Sequence, residues 1–139
     1  MARTTFNGPV ASQNGFIDGH QVTSANAINA TATATAAQVA RGYITSTSAS
    51  TTTITLPTGT ALGNAIGAVK GTVLDLYIDN TGGASVVTVA VNTNAILSSA
   101  AVDVAASFGD LTIAAGATGL ARYTLMFSSP TAYVFTRTA

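Results

Sequence analysis

The strongest constraint on this chain is a period-two alternation of apolar and polar residues, repeated from about residue 41 onward. In the run 51–56, Thr52, Ile54 and Leu56 share one face, and Thr51, Thr53 and Thr55 share the other. Thr72, Leu74, Leu76 and Ile78 oppose Val73, Asp75, Tyr77 and Asp79. Val87, Val89 and Val91 alternate with Val86, Thr88 and Ala90. Tyr123, Leu125 and Phe127 alternate with Arg122, Thr124 and Met126, and Tyr133, Phe135 and Arg137 with Ala132, Val134 and Thr136. Successive side chains of a strand point to opposite faces, so this pattern predicts half-buried β-strands.

Turn chemistry falls between these runs. Asp79-Asn80-Thr81-Gly82-Gly83 is expected to be a hairpin loop between two strong strands, and Ser128-Ser129-Pro130 to join the last two. Ala114 to Gly119 separates a short run at Leu111-Thr112-Ile113 from the strand at Arg122, and Tyr43-Ile44-Thr45 and Ala95-Ile96-Leu97 add short strands. About seven or eight strands at close spacing, with Gly-rich turns, predict an all-β fold of β-sandwich or jelly-roll type. No repeat period emerges beyond an Ala-Thr dipeptide tract at Ala30–Ala36.

The first forty residues differ. In residues 1–20, Gly8-Pro9, Asn14-Gly15 and Asp18-Gly19 interrupt any regular element. They leave an extended arm with sparse apolar anchors at Phe6, Val10, Phe16 and Ile17. Such a segment buries too little apolar surface on its own to offset its ordering entropy, so it is expected either to be disordered or to be ordered by docking on something else. Residues 21–40 form an Ala/Thr-rich connecting segment. Its alternation favours strand or extended chain, and Ala36-Ala37-Gln38-Val39-Ala40 is able to close as a helical turn. Residues 41–139 are then the β body, a single domain large enough to need no covalent staple.

Composition limits the chemistry. The chain has no Cys, Trp or Glu, one His, and five basic against five acidic residues among 139, for zero net charge. Proton transfer and nucleophile activation require ionisable groups held close together. His20 beside Gly19 in the arm has Asp18 near it in sequence but no nucleophile to activate, so no catalytic residue is assigned. Zero net charge supplies neither the basic excess of an electrostatic nucleic-acid binder nor a polybasic membrane patch. Arg3 is followed by Thr4, Thr5, Phe6 and Asn7 and not by an apolar signal core, and the stretch 24–40 is too polar to span a bilayer.

Cation and phosphate sites fare no better. Asp75 and Asp79 share a strand face about 13 Å apart at ~3.3 Å per residue, too far to hold one ion. Asp79-Asn80 reads as a turn starter. Asp103 and Asp110 flank a loop around Ser107-Phe108-Gly109 and meet only if that loop closes. Gly63-Asn64-Ala65-Ile66-Gly67 and Gly116-Ala117-Thr118-Gly119 lack the Lys-Ser/Thr and the helix context of a phosphate loop, and are expected to be turns. No metal and no cofactor is assigned. Most strand aromatics are expected in the core. Tyr77, which shares its face with Asp75 and Asp79, is a candidate subunit contact or sugar platform.

A charge-poor, apolar-rich chain with no catalytic constellation fits an assembling protein, because interface cores are depleted of charge and a neutral surface favours association. The opening Met1-Ala-Arg-Thr-Thr-Phe-Asn-Gly-Pro-Val10, followed by Ser12-Gln-Asn-Gly-Phe16, resembles small structural proteins of tailed bacteriophages. So do Asp110-Leu-Thr-Ile-Ala-Ala-Gly-Ala-Thr-Gly119, Arg122-Tyr-Thr-Leu-Met-Phe127 and Pro130-Thr-Ala-Tyr-Val-Phe135. The resemblance spans most of the chain, and its motifs are loose β patterns. It implies a head decoration, or cement, protein: a homotrimer of β-sandwich or β-tulip subunits on the outer surface of the capsid in the virion. The implied partner is the major capsid protein, and the arm residues Phe6, Pro9, Val10, Phe16 and Ile17 would dock on it. The main alternative is a tail-fibre or spike module binding host glycans near Tyr77 or Phe108. An ice-binding array would need regular Thr ladders on several adjacent strands, and only one tract here is regular.

Overall fold

The computed structural model describes residues 26–97 and 111–139. They form nine strands and two short helices: β1 Ala32–Thr33, α1 Ala36–Ala40, β2 Tyr43–Thr45, β3 Thr52–Thr55, α2 Gly59–Ile66, β4 Val73–Asp79, β5 Val87–Ala90, β6 Ala95–Leu97, β7 Thr112–Ile113, β8 Leu120–Ser129 and β9 Ala132–Arg137. The protein is largely β, as the alternation predicts. The strands make two mixed sheets, one ordered β1-β3-β5-β7 and the other β2-β4-β8-β9-β6.

From β1 to β8, consecutive strands switch sheets, and four of the seven described pairs join strands two apart in sequence. Thus β1 runs parallel to β3, β3 to β5, and β2 to β4. A parallel neighbour has to be reached by a crossover, and here the crossover passes through the other sheet. Of the seven described strand pairs, four are parallel and three antiparallel. A jelly roll, by contrast, is built from antiparallel strands. The segment Asp79–Gly83 is therefore not the expected hairpin. It carries the chain from β4, paired with β2 and β8, to β5, paired with β3 and β7. The hairpin expected at Ser128–Pro130 is present, joining β8 and β9 with a register shift between Phe127 and Ser129.

Both sheets feed one buried apolar cluster. Ile54, Leu56, Val87, Val89 and Ile113 enter it from the smaller sheet, and Ile44, Leu76, Ile78, Leu125, Phe127 and Phe135 from the larger. Phe127 and Tyr133, register partners on β8 and β9, pack with ring centroids 5.3 Å apart. Tyr123 meets Phe135 edge-on at 6.2 Å. Each fully buried aromatic or branched side chain contributes about 1.5–3 kcal/mol of transfer free energy. The buried members of the alternating runs are Thr52, Ile54 and Leu56, Leu76 and Ile78, Val87 and Val89, Tyr123, Leu125 and Phe127, and Tyr133 and Phe135, whereas Val91 lies past the end of β5 and is exposed.

Residues 26–40 pack with this core. Ile28, Ala34 and Val39 are buried, and Ala27 bridges to Thr45 at the edge of the larger sheet. The Ala/Thr tract resolves into the two-residue strand β1 and then α1. The helix starts with a capping box: the Thr35 hydroxyl accepts from the Gln38 amide, and the Gln38 side chain accepts from the Thr35 amide. The two contacts satisfy amides that a helix start otherwise leaves open.

The stretch Gly63–Gly67, expected as a turn, instead lies in and ends α2. Thr58 caps the helix by accepting from the Ala61 amide, and Gly67 terminates it at φ 62° in the left-handed region. Two glycines in eight residues disfavour a helix by about 1 kcal/mol each relative to Ala. Packing supplies the reason for them. A β-carbon on Gly59 or Gly63 would collide with the backbone carbonyls of Thr131 and Pro130 in the β8–β9 turn. The Tyr133 hydroxyl donates to the Pro57 carbonyl at 2.8 Å and ties β9 to the entry of this helix.

Candidate functional site

The described residue with the most recognition character is Tyr77, so the outward face of the larger sheet is the place to build a site. Strand β4 puts Leu76 and Ile78 inside and Val73, Asp75, Tyr77 and Asp79 outside. Its neighbours place Tyr43 beside Tyr77 on β2, and Arg122 beside Tyr77 and Thr124 beside Asp75 on β8. Tyr43 and Tyr77 thus lie outside the core that strand aromatics normally occupy.

Asp75 and Asp79 are each closed off by their own donors. Asp75 accepts from the Thr124 hydroxyl at 2.7 Å and from Arg122 Nη2 at 2.7 Å. Those partners, the hydroxyl first, hold its carboxyl below the ordinary Asp range, and Asp75 in turn raises the Arg122 guanidinium. Asp79 accepts from the Thr81 hydroxyl at 2.6 Å, the Thr81 amide at 2.9 Å and the Tyr43 phenol at 2.6 Å. Its carboxyl is also lowered, by Thr81 before Tyr43, and the Tyr43 phenol is raised by the same bond. Each of the four carboxylate oxygens already accepts from a protein donor, which leaves reduced capacity for a cation or a sugar hydroxyl. Among the described residues, no three of His, Cys, Asp or Glu cluster as metal ligands. The Arg122 guanidinium lies 5.9 Å from the centre of the Tyr77 ring, a cation–π arrangement that covers part of this aromatic face.

The register exposes a second feature that the sequence does not mark. Val73 on β4 pairs with Met126 on β8, Met126 with Val134 on β9, and Val134 with Ile96 on β6. Side chains of register partners point to the same face, so these four form an apolar row across four strands. Val73, Met126 and Ile96 are 57%, 49% and 56% exposed. The next row along the strands is Asp75, Thr124 and Thr136. Each apolar residue stands alone in its own strand's alternation. Only strand order and register bring the four together.

Asn80 is the turn residue whose role was least visible. It is fully buried, and its amide nitrogen donates to the carbonyls of Ser85 and Ala114, each at 2.9 Å. It therefore pins the β4–β5 connection to the segment after β7. Gly116–Thr118 forms a single 3-10 turn in the loop expected there.

The arm residues Phe6, Pro9, Val10, Phe16 and Ile17 lie outside the described residues, as do His20, Asp103, Phe108 and Asp110. No helix among the described residues is long and apolar enough to cross a membrane. No protein-family model matches the chain, and neither the curated proteins nor the solved structures contain a significant match.

Proposed function

We propose that this chain is a non-enzymatic structural protein of a tailed-phage virion. In this reading it decorates and stabilises the outer surface of the capsid as a homotrimer, with the two sheets stacked as a β-sandwich and the arm docked on the major capsid protein. The observation that carries the reading is the outward face of the larger sheet, where Asp75 is paired with Arg122, Asp79 is held by Thr81 and Tyr43, and an apolar row remains in solvent. Covering the apolar row costs little, because the carboxylate next to it, Asp75, already has its counter-charge in Arg122. The arm residues Phe6, Pro9, Val10, Phe16 and Ile17 add apolar anchors that suit extended-strand docking on a partner sheet. Three arms on one trimer would bind at high effective concentration after the first engages.

The test is co-sedimentation of the protein with expanded capsids of its phage, with and without residues 2–19. Loss of binding on deletion is the expected result, and unchanged binding would remove the arm from the mechanism. The exposure of Tyr77 between two carboxylates favours one second reading, a glycan-binding tail module. Saturable glycan binding abolished by Tyr77→Ala, with no affinity for capsids, would establish that reading instead.

A further inference from the structure

We infer that the row Val73–Met126–Val134–Ile96 is the surface through which copies of this chain contact one another. The inference rests on the self-assembling reading above and assigns it a surface.

Three observations support a second copy as the occupant. The first is chemical. Three of the four side chains are about half exposed or more, and burying each removes apolar area from water. The second is electrostatic. The charges adjoining the row are the pair Asp75–Arg122, closed at 2.7 Å, so this end of the face presents no net charge, and Asp79 lies four residues further along β4. A strongly basic or acidic partner finds nothing there to complement, whereas another copy of a chain with zero net charge meets no like-charge repulsion. The third is size. Five strands at ~4.8 Å spacing, with the length of β4 at ~3.3 Å per residue, make a face of roughly 500 Å² per copy. Two such faces bury on the order of 1,000 Å², where specific protein interfaces begin. Tyr77 and Arg122, two rows from the apolar one on the same face, are residue types enriched at the centres of such contacts.

The experiment uses the full chain, which contains no cysteine, so one introduced thiol is a unique probe. Met126→Cys reports from the centre of the row. Val69→Cys, 64% exposed in the α2–β4 connection, is the control. Each is measured for mass by light scattering and for reaction rate with an aromatic disulfide reagent. The expected result is a multimer of the 13.8 kDa chain in which the Met126→Cys thiol reacts several-fold more slowly than the control. Dilution to the monomer should restore its rate.

A multimer with equal rates would overturn the assigned surface and leave self-assembly standing. A monomer with a reactive thiol would overturn both, while capsid binding by the arm stays open to the deletion assay. A protected thiol in a monomer would mean that the chain covers the row itself, and would also overturn the inference. Val73→Thr with Ile96→Thr keeps β-branched residues on both strands, and circular dichroism establishes its fold. This double variant should lower the measured mass, and a folded multimer of unchanged mass would count against the inference.

Discussion

Tyr133 on β9 reaches across to the entry of α2 and donates its hydroxyl proton to the carbonyl of Pro57, 76 residues earlier in the chain. The ring is buried against Phe127 and Phe135, and burial pushes the phenol well above its usual pKa. Tyr133→Phe keeps the ring and removes the donor. It leaves the Pro57 carbonyl without this partner and should destabilise the protein by about 1–2 kcal/mol, read as a lower urea midpoint with an unchanged slope.

The same phenol gives a pH dependence at the alkaline end. Tyr133 and Tyr43 both have folded pKa values above the unfolded value of 10.0. The folded state therefore holds protons that the unfolded state releases, and the stability they contribute is lost as pH rises above about 10. Thermal melts should fall through that range, with a smaller fall in Tyr133→Phe. The latest part of the rise in tyrosinate absorbance should be diminished in the same variant.

At the acidic end the sign reverses. Asp75 and Asp79 have folded pKa values below 3.8, so the stability they supply is present at neutral pH and is lost as pH drops below about 4. Melting temperature should be flat from neutral pH to about 5 and then decline. The double variant Asp75→Asn with Asp79→Asn should start lower and show a shallower decline. An unaltered acid profile in that variant would mean that other carboxyls govern acid unfolding.

The glycines of α2 separate intrinsic preference from packing. On propensity alone, Gly63→Ala should stabilise an exposed helix by about 1 kcal/mol. Here the added methyl meets the Pro130 carbonyl, so a net loss of about 1–3 kcal/mol is expected from overpacking. Asn64→Ala, at an exposed position of the same helix, should instead gain about 0.5 kcal/mol. Chemical denaturation of the two variants side by side checks the opposite signs.

Asn80→Ala should be among the most damaging single changes. It leaves the Ser85 and Ala114 carbonyls without their shared donor in a buried site, at a cost of about 1–3 kcal/mol for each group left unsatisfied. Hydrogen exchange should accelerate around Ser85 and Ala114 before it does in β8.

Strand identity was readable in the residues because burial on one face leaves a local mark, as in Thr52-Ile54-Leu56 and Tyr123-Leu125-Phe127. Strand partnership was not. Asp79–Gly83 has hairpin chemistry, and nothing local distinguishes a turn back along the same sheet from a step into the other. Helix α2 was missed because its glycines answer a contact with Pro130 and Thr131, more than sixty residues away in sequence. The carboxylates and Tyr77 of the outer face were legible from the alternation of β4. Arg122 and Thr124 as their partners, and the row through Met126, depend on a register that only the assembled sheet defines.

The switching of strands between sheets also governs when the chain is able to fold during synthesis. Strand β4 becomes an interior strand of the larger sheet only once β8 lies beside it, and Arg122, 47 positions after Asp75, must be made first. Among the described strands, only the β8–β9 hairpin pairs neighbours in sequence within one sheet, and it is made after every other described strand. A topology this rich in distant pairings folds slowly. The larger sheet therefore closes only after all the other described strands have been made, and its apolar strands stay open to other chains until β8 and β9 arrive.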